Sequence, residues 1–293
     1  MTHMVGEAPP VIEIPETTAH IAVIAIRRCG GTALAAAIAT SYARPLIFEP
    51  FHHPVNVPGS DRPSKIYEQT LAFEPLSEGY ENIARIARDS VESIYSKNPD
   101  FIGLKTVSCL ARSDAVAVDD RTTLWVTRKL APMYASIMAE PWDTDHPSAL
   151  KSPLPYKLGA VASEIVKVQP PDAGCHILRW LIHSYACVSL GDAGFWIDDW
   201  DVGNTRERIA HRVRSILGPE RVPLEQTLGC PPIGTVRERL GILGTESVPR
   251  FWSEDKKRHT GGSYRSQLTP IVDVLERYSK HDSIMRELVK YVQ

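Results

Sequence analysis

The sequence has few cysteines and no long apolar run. Its five cysteines include no C-x-x-C pair, which argues against a disulfide framework or a zinc site and favours a reducing, cytoplasmic location. No apolar run approaches the roughly 20 residues that span a bilayer. Residues 1–16 lack the basic and apolar regions of a secretory signal peptide. We therefore expect no membrane span, no bound metal and no secretion signal.

The chain also lacks an excess of charge of either sign. Its 33 lysines and arginines face 35 aspartates and glutamates, for a net charge of −2, so we expect no nucleic acid partner. The 293 residues are 43% hydrophobic, which is typical of a globular protein. The composition and the element pattern predict an irregular N-terminal arm over residues 1–19 and a single domain over residues 20–293.

The most informative segment lies near the N-terminus. From Ile21 to Leu34 it reads IAVIAIRRCGGTAL, an apolar run, two arginines, a glycine pair and an Ala/Leu-rich run. This pattern predicts a strand, a tight turn and a helix whose N-terminal N–H groups can bind phosphate oxygens. The lysine of a Walker A loop is missing, and Arg28 stands just before the glycines. The segment therefore indicates a phosphate-binding loop that differs from those of ATPases and GTPases.

Strands and helices alternate along the chain. Apolar runs predict strands at 20–26, 45–48, 101–107, 122–127 and 195–197, and periodic patterns predict helices at 33–42, 80–96, 132–140, 173–189, 205–217 and 269–292. This alternation is typical of a three-layer α/β fold, a parallel sheet with helices on both faces. Because ligands bind at the carboxyl ends of such strands, the loops that start at Arg27, Glu49, Lys105 and Arg128 should meet at one rim. The Pro- and Gly-rich stretch 53–64 is predicted to be loop.

Two further basic segments could bind phosphate. Arg128 ends a predicted strand, and Ser136 follows eight residues later in the next helix. An arginine guanidinium can donate two parallel hydrogen bonds to phosphate oxygens, and a serine hydroxyl can donate to the same group. The segment 256–265, KKRHTGGSYR, combines cations with flexible glycines. Each segment alone is also compatible with an ordinary exposed charge or a solvated basic loop.

Together, these three segments resemble the sulfotransferase family, whose members have a P-loop NTPase-like architecture and use 3′-phosphoadenosine 5′-phosphosulfate. The segment RCGGTAL at 28–34 is similar to the family's 5′-phosphosulfate loop, [KR]-[ST]-G-T-[ST]-x-L. The segment LWVTR at 124–128, followed by Ser136, resembles its 3′-phosphate motif, and GSYR at 262–265 resembles its C-terminal loop. The order of the motifs agrees with the family from about residue 20 to residue 269.

The resemblance implies a site for two phosphates that transfers a sulfuryl group to a small-molecule or carbohydrate acceptor and needs no metal. Arg28 would stabilise the leaving 5′-phosphate. The implied 5′-phosphosulfate residues are Arg28, Cys29, Gly30, Gly31, Thr32 and Ala33, and the implied 3′-phosphate residues are Arg128, Ser136, Arg258, Gly261 and Gly262. Cys29 and Gly31 depart from the family, where hydroxyl residues stand. One lost neutral hydrogen bond costs roughly 0.5–1.5 kcal/mol.

The resemblance leaves the catalytic base open. Glu49 matches a glutamate that follows the second strand in some branches of the family. His52 and His53 are rivals, since an imidazole titrates near neutral pH. Lys105 matches a strand-end lysine of the cytosolic branch and could hold the sulfuryl group, but Val107 stands where that branch has its histidine.

Two other functions stay open at this point. One is a P-loop kinase or other nucleotide phosphotransferase, although the Gly-Lys-[Ser/Thr] sequence and a clear Walker B aspartate are missing. The other is a catalytically inactive nucleotide-binding protein on the same fold. Neither the acceptor nor the oligomeric state follows from the sequence.

Overall fold

The structure is a computed structural model that describes most of the predicted domain. The described residues are 19–49, 55–56, 63–64, 78–97, 99–107, 122–139, 156–173, 176–191, 194–196, 204–228, 240–241 and 264–292. The predicted N-terminal arm lies outside these ranges except for residue 19, so the domain boundary stays a prediction.

Strands and helices are interspersed along the described chain, with some runs of two or three elements of one kind. The strands are β1 (Ile21–Ala25), β2 (Leu46–Phe48), β3 (Val55–Asn56), β4 (Pro63–Ser64), β5 (Gly103–Val107), β6 (Thr123–Thr127), β7 (Gly194–Trp196) and β8 (Leu240–Gly241). The α-helices are α1 (Gly31–Tyr42), α2 (Glu78–Lys97), α3 (Leu130–Met138), α4 (Tyr156–Val168), α5 (His176–Ser189), α6 (Thr205–Leu217), α7 (Leu224–Thr227), α8 (Thr269–Ser279) and α9 (Ser283–Val289).

One parallel sheet forms the centre of the fold. Its strand order is β7-β6-β1-β5-β2-β8, and every pair of neighbouring strands is parallel. The strand β1 lies inside the sheet, where Ile21 faces Gly103 of β5 and Ala22 faces Thr123 of β6. All five residues of β1 are buried, because a central parallel strand is covered on both faces and therefore needs a continuous apolar run. The predicted α/β class is confirmed.

Helices cover both faces of the sheet. Ile21, Val23 and Ala25 share an apolar cluster with residues of α1, α6 and α7. Ile24, whose side chain points the opposite way, packs with Trp125 and with Cys187 of α5. The alternation of side chains along a strand thus separates two helical layers. Helices α3, α4, α5, α8 and α9 build a second large cluster beside the sheet.

Two local predictions differ from the structure, and some described elements were not predicted. The stretch 53–64, predicted to be loop, contains the antiparallel pair β3–β4. The helix predicted over 269–292 is divided into α8 and α9, because the Asp282 carboxylate accepts hydrogen bonds from the N–H groups of Ile284 and Met285 and so starts a new helix. Helix α4 has no counterpart among the sequence predictions. Within the described ranges, no helix has both the length and the apolar character needed to cross a bilayer.

Candidate functional site

The predicted phosphate loop is a tight turn between β1 and α1. Residues 26–30 connect the two elements, and both Arg28 (φ 64°) and Gly30 (φ 74°) adopt the left-handed conformation. The N–H of Cys29 donates to the carbonyl of Ile26 (3.4 Å). Helix geometry leaves the first N–H groups of α1 without a carbonyl partner inside the helix. The turn therefore presents the start of α1 at the carboxyl end of the central strand.

Gly31, the first residue of α1, lies tightly against β1. A Cβ atom added at Gly31 would overlap the Cβ of Ala25 and come within 3.5 Å of the Cε of Lys105. A threonine at this position, as in the family pattern, would not fit without movement of the turn. The side chain of Cys29 is fully buried in the cluster that contains α3, so its thiol faces the core. Both departures from the family pattern therefore have packing reasons.

A hydrogen-bond network joins the two predicted phosphate segments. The Nε of Arg28 donates to the Oγ of Ser136 at 2.8 Å, although the two residues are 108 positions apart in sequence. Arg128 reaches the same turn, with its Nη1 lying 3.5 Å from the carbonyl oxygen of Arg28. The structure thus brings two guanidinium groups and a buried serine hydroxyl together, as expected if the loops that start at Arg27 and Arg128 meet at one edge of the sheet.

The end of β6 is held by side chains of α5. The Nε1 of Trp180 donates to the carbonyl of Arg128 (2.7 Å), and the Nε2 of His183 bonds the carbonyl of Val126 (2.9 Å). Burial lowers the pKa of His183 to about 4, so the imidazole is neutral at pH 7 and its Nε2 carries the proton that reaches the carbonyl. Sequence reasoning missed both contacts, since an apolar helix gives no sign of which side chains turn toward a strand.

The N-terminus of α3 is occupied by another part of the chain. The N–H of Leu130 donates to the carbonyl of Tyr291 (2.8 Å), and the N–H of Ala131 donates to that of Val292 (3.0 Å). The ring of Tyr291 stacks on Trp196 at the end of β7, with 3.6 Å between the ring centroids. Free helix N-termini bind anions, but here these two donors are taken. An anion beside α3 would be bound mainly by side chains.

Glu49 and Lys105 form an ion pair next to the predicted phosphate loop. The Nζ of Lys105 donates to the Oε1 of Glu49, with side-chain exposures of 4% and 19%. The N–H of Glu49 also donates to the carbonyl of Lys105 (2.6 Å), and Glu49 has a left-handed backbone (φ 47°). Since the Cε of Lys105 lies close to Gly31, the pair adjoins the first turn of α1. The predicted base and the predicted second cation are therefore in direct contact.

Several predicted site residues cannot be placed. His52, His53, Arg258, Gly261 and Gly262 lie outside the described residues, and their roles stay predictions. Among the residues that are described, no group of three or more His, Cys, Asp or Glu side chains could hold a metal ion.

The fold and the site define an α/β protein with a strand–turn–helix loop and clustered cations at the carboxyl edge of a parallel sheet. No known protein family, curated protein or solved structure matches the chain. The function is therefore inferred from the geometry of this edge.

Proposed function

We propose that the protein is a sulfotransferase that moves a sulfuryl group from 3′-phosphoadenosine 5′-phosphosulfate to a hydroxyl or amine of an acceptor. We also propose that its α/β fold is the P-loop NTPase-like architecture of the sulfotransferase family. The observation that carries it is the hydrogen bond from Arg28 to Ser136, with Arg128 beside the same turn. These are the residues that the resemblance assigns to the two phosphates of a single donor.

The charge distribution suits a ligand with two separated phosphate groups. The start of α1 and Arg28 would bind the 5′-phosphosulfate through backbone N–H groups and a guanidinium. Arg128 and Ser136 would bind the 3′-phosphate through side chains. A guanidinium carries five N–H donors in a planar fork, and the Nε of Arg28 donates to Ser136. Arg28 would therefore connect both subsites.

The proposed chemistry is an in-line displacement at sulfur. Glu49 takes the proton of the acceptor hydroxyl or amine, and the acceptor atom bonds to sulfur while the bond from sulfur to the 5′-phosphate oxygen breaks. The electron pair of that bond stays on the phosphate oxygen, where Arg28 stabilises the negative charge. Lys105 donates to the sulfuryl oxygens. These steps require no metal.

The proposed acceptor is a small molecule or carbohydrate, and the proposed location is the cytoplasm. Cys187 is a buried free thiol, which supports a reducing compartment.

Calorimetry with 3′-phosphoadenosine 5′-phosphate tests the donor site. We expect Arg128→Ala to raise the dissociation constant at least tenfold, because a hydrogen bond to a charged group contributes about 1.5–3 kcal/mol. Arg221→Ala is the matched control, since Arg221 is exposed and lies beside Ser41 near the other end of α1. Equal binding by Arg128→Ala and the native protein would contradict the 3′-phosphate subsite.

The same titrations separate the alternatives. Tighter binding of Mg²⁺-ATP than of the bisphosphate would favour a nucleotide phosphotransferase. Bisphosphate binding without transfer of labelled sulfate to any of a mixed set of acceptors would favour an inactive nucleotide-binding protein.

The role of Glu49 has its own test. We expect Glu49→Gln to lower turnover by about 10²–10⁴, the usual contribution of a general base, with unchanged affinity for the bisphosphate. A variant with full turnover would transfer the base role to His52 or His53.

A further inference from the structure

In the ion pair between Lys105 and Glu49, the lysine is buried from solvent and the glutamate is partly exposed to it. Lys105 lies in the middle of β5, between β1 and β2, and only 4% of its side chain is exposed. Glu49 follows the last residue of β2, and 19% of its side chain is exposed. A buried ammonium without a negative partner is strongly destabilising. Lys105 therefore needs an anion in every state of the protein, whereas Glu49 can turn toward water.

The pair also lies where the sulfuryl end of the donor would be bound. The Cε of Lys105 comes close to the position of a Cβ on Gly31, the first residue of α1. The start of α1 is also the part of the loop that would receive the 5′-phosphosulfate. A sulfuryl group at this point would bring three oxygens that share one negative charge to an ammonium that already holds a carboxylate. Two anions would then compete for one cation.

We infer that Glu49 is the internal anion that occupies Lys105 when no donor is bound, and that the sulfuryl group of the donor displaces it. This inference rests on the proposed function. Lys105 then distinguishes the sulfuryl-loaded donor from the bisphosphate product, because the product has no sulfuryl group to replace the carboxylate. Glu49 is both the competitor and, once displaced, the base.

The exchange imposes an order on the reaction. Before the donor binds, Oε1 of Glu49 accepts from Lys105 and is not available to an acceptor proton. After displacement, the carboxylate stays beside the sulfuryl group, because the N–H of Glu49 is bonded to the carbonyl of Lys105. The donor must therefore bind before the acceptor reacts. When the sulfuryl group has left, Glu49 releases the acceptor's proton to water, to which its side chain is partly exposed, and returns to Lys105 as a carboxylate. The product is then no longer held by that cation.

Calorimetry without acceptor tests the exchange by comparing the donor with the bisphosphate. Removing the competing charge in Glu49→Gln should tighten donor binding about tenfold, on the scale of one charged hydrogen bond, with less than a twofold change for the bisphosphate. Lys105→Met should lower the affinity for the donor to that for the bisphosphate. Glu49→Ala should show the same gain as Glu49→Gln. Since the donor supplies the anion that Lys105 has lost in both variants, saturating donor should also raise their melting temperatures by more than that of the native protein. Glu164→Gln, which alters a surface ion pair with Arg277, is the matched control and should change neither affinity.

The outcomes separate the inference from the proposed function. If the native protein binds neither ligand, the proposed function fails and the inference fails with it. If the bisphosphate binds and Arg128→Ala weakens it, but donor binding by Glu49→Gln and Glu49→Ala is unchanged or weaker, only the inference is overturned. The inference is supported if both Glu49 variants bind the donor more tightly than the native protein does and if Lys105→Met binds the donor no more tightly than the bisphosphate.

Discussion

Replacing Gly31 by alanine should destabilise the protein, because the new methyl group would enter space that Ala25 already fills. The added Cβ would overlap the Cβ of Ala25 at the end of β1. Both atoms are attached directly to the backbone, so no side-chain rotation can relieve the overlap. Methyl carbons pack at about 3.5–4.0 Å. The start of α1 would therefore have to move away from β1 by about 1 Å.

The expected loss of folding stability in Gly31→Ala is the difference between two opposing contributions. Inserting a carbon into a well-packed region costs about 1–3 kcal/mol, and replacing a helical glycine by alanine returns up to about 1 kcal/mol. A net loss of about 1–2 kcal/mol corresponds to a melting temperature lower by roughly 2–8 °C in a protein of this size. Gly31→Thr should be worse than Gly31→Ala, although threonine restores the family pattern. The displaced turn should also weaken binding of the bisphosphate.

Urea and thermal denaturation measure this effect directly. Gly159→Ala is the matched control, since Gly159 lies in α4 and a Cβ there meets no atom within 4 Å. That variant should gain about 0.5–1 kcal/mol from its helix propensity. If Gly31→Ala melts at or above the native temperature and keeps its affinity for the bisphosphate, the packing argument for this loop is wrong.

Two further predictions concern stability. Because the pKa of His183 is about 4 in the folded protein and near 6.5 when unfolded, the unfolded state binds more protons between these values. The free energy of unfolding should fall by up to about 1.4 kcal/mol per pH unit as the pH drops through that window. Urea titrations at several pH values measure this dependence, and an equally steep dependence in His183→Gln would contradict the prediction. Asp282→Ala should cost about 1 kcal/mol through loss of the N-cap of α9, whereas Asp282→Asn should cost less; equal losses would argue against capping.

The central part of the fold follows from strong local signals. The continuous apolar run of β1 predicts a strand covered on both faces, and the glycine pair after Arg28 predicts the turn into α1. The short pair β3–β4 could not be predicted, because strands of two residues have no measurable periodicity. The division between α8 and α9 left a readable signal, since Asp282 is a favoured N-cap residue.

The sequence predicts candidate residues for the site but not the contacts among them. The alternation of strands and helices predicts Glu49 and Lys105 at the ends of neighbouring strands. Glu49 does follow β2, but Lys105 lies in the middle of β5. Their ion pair depends on β5 lying between β1 and β2, with Phe48 opposite Lys105, and this strand order is not encoded in any local pattern. The bond from Trp180 to the carbonyl of Arg128 likewise depends on how α5 packs.

The position of β1 in the sheet has a consequence for synthesis of the chain. Both of its neighbours come much later in the sequence, the nearer one about 80 residues on. At roughly 5–20 residues per second, about 4–16 s pass before β5 is made. During that time a strand made only of apolar residues has two unpaired edges, which are templates for aggregation. The strand that leads into the predicted phosphate loop is therefore a segment of the nascent chain that a chaperone would protect.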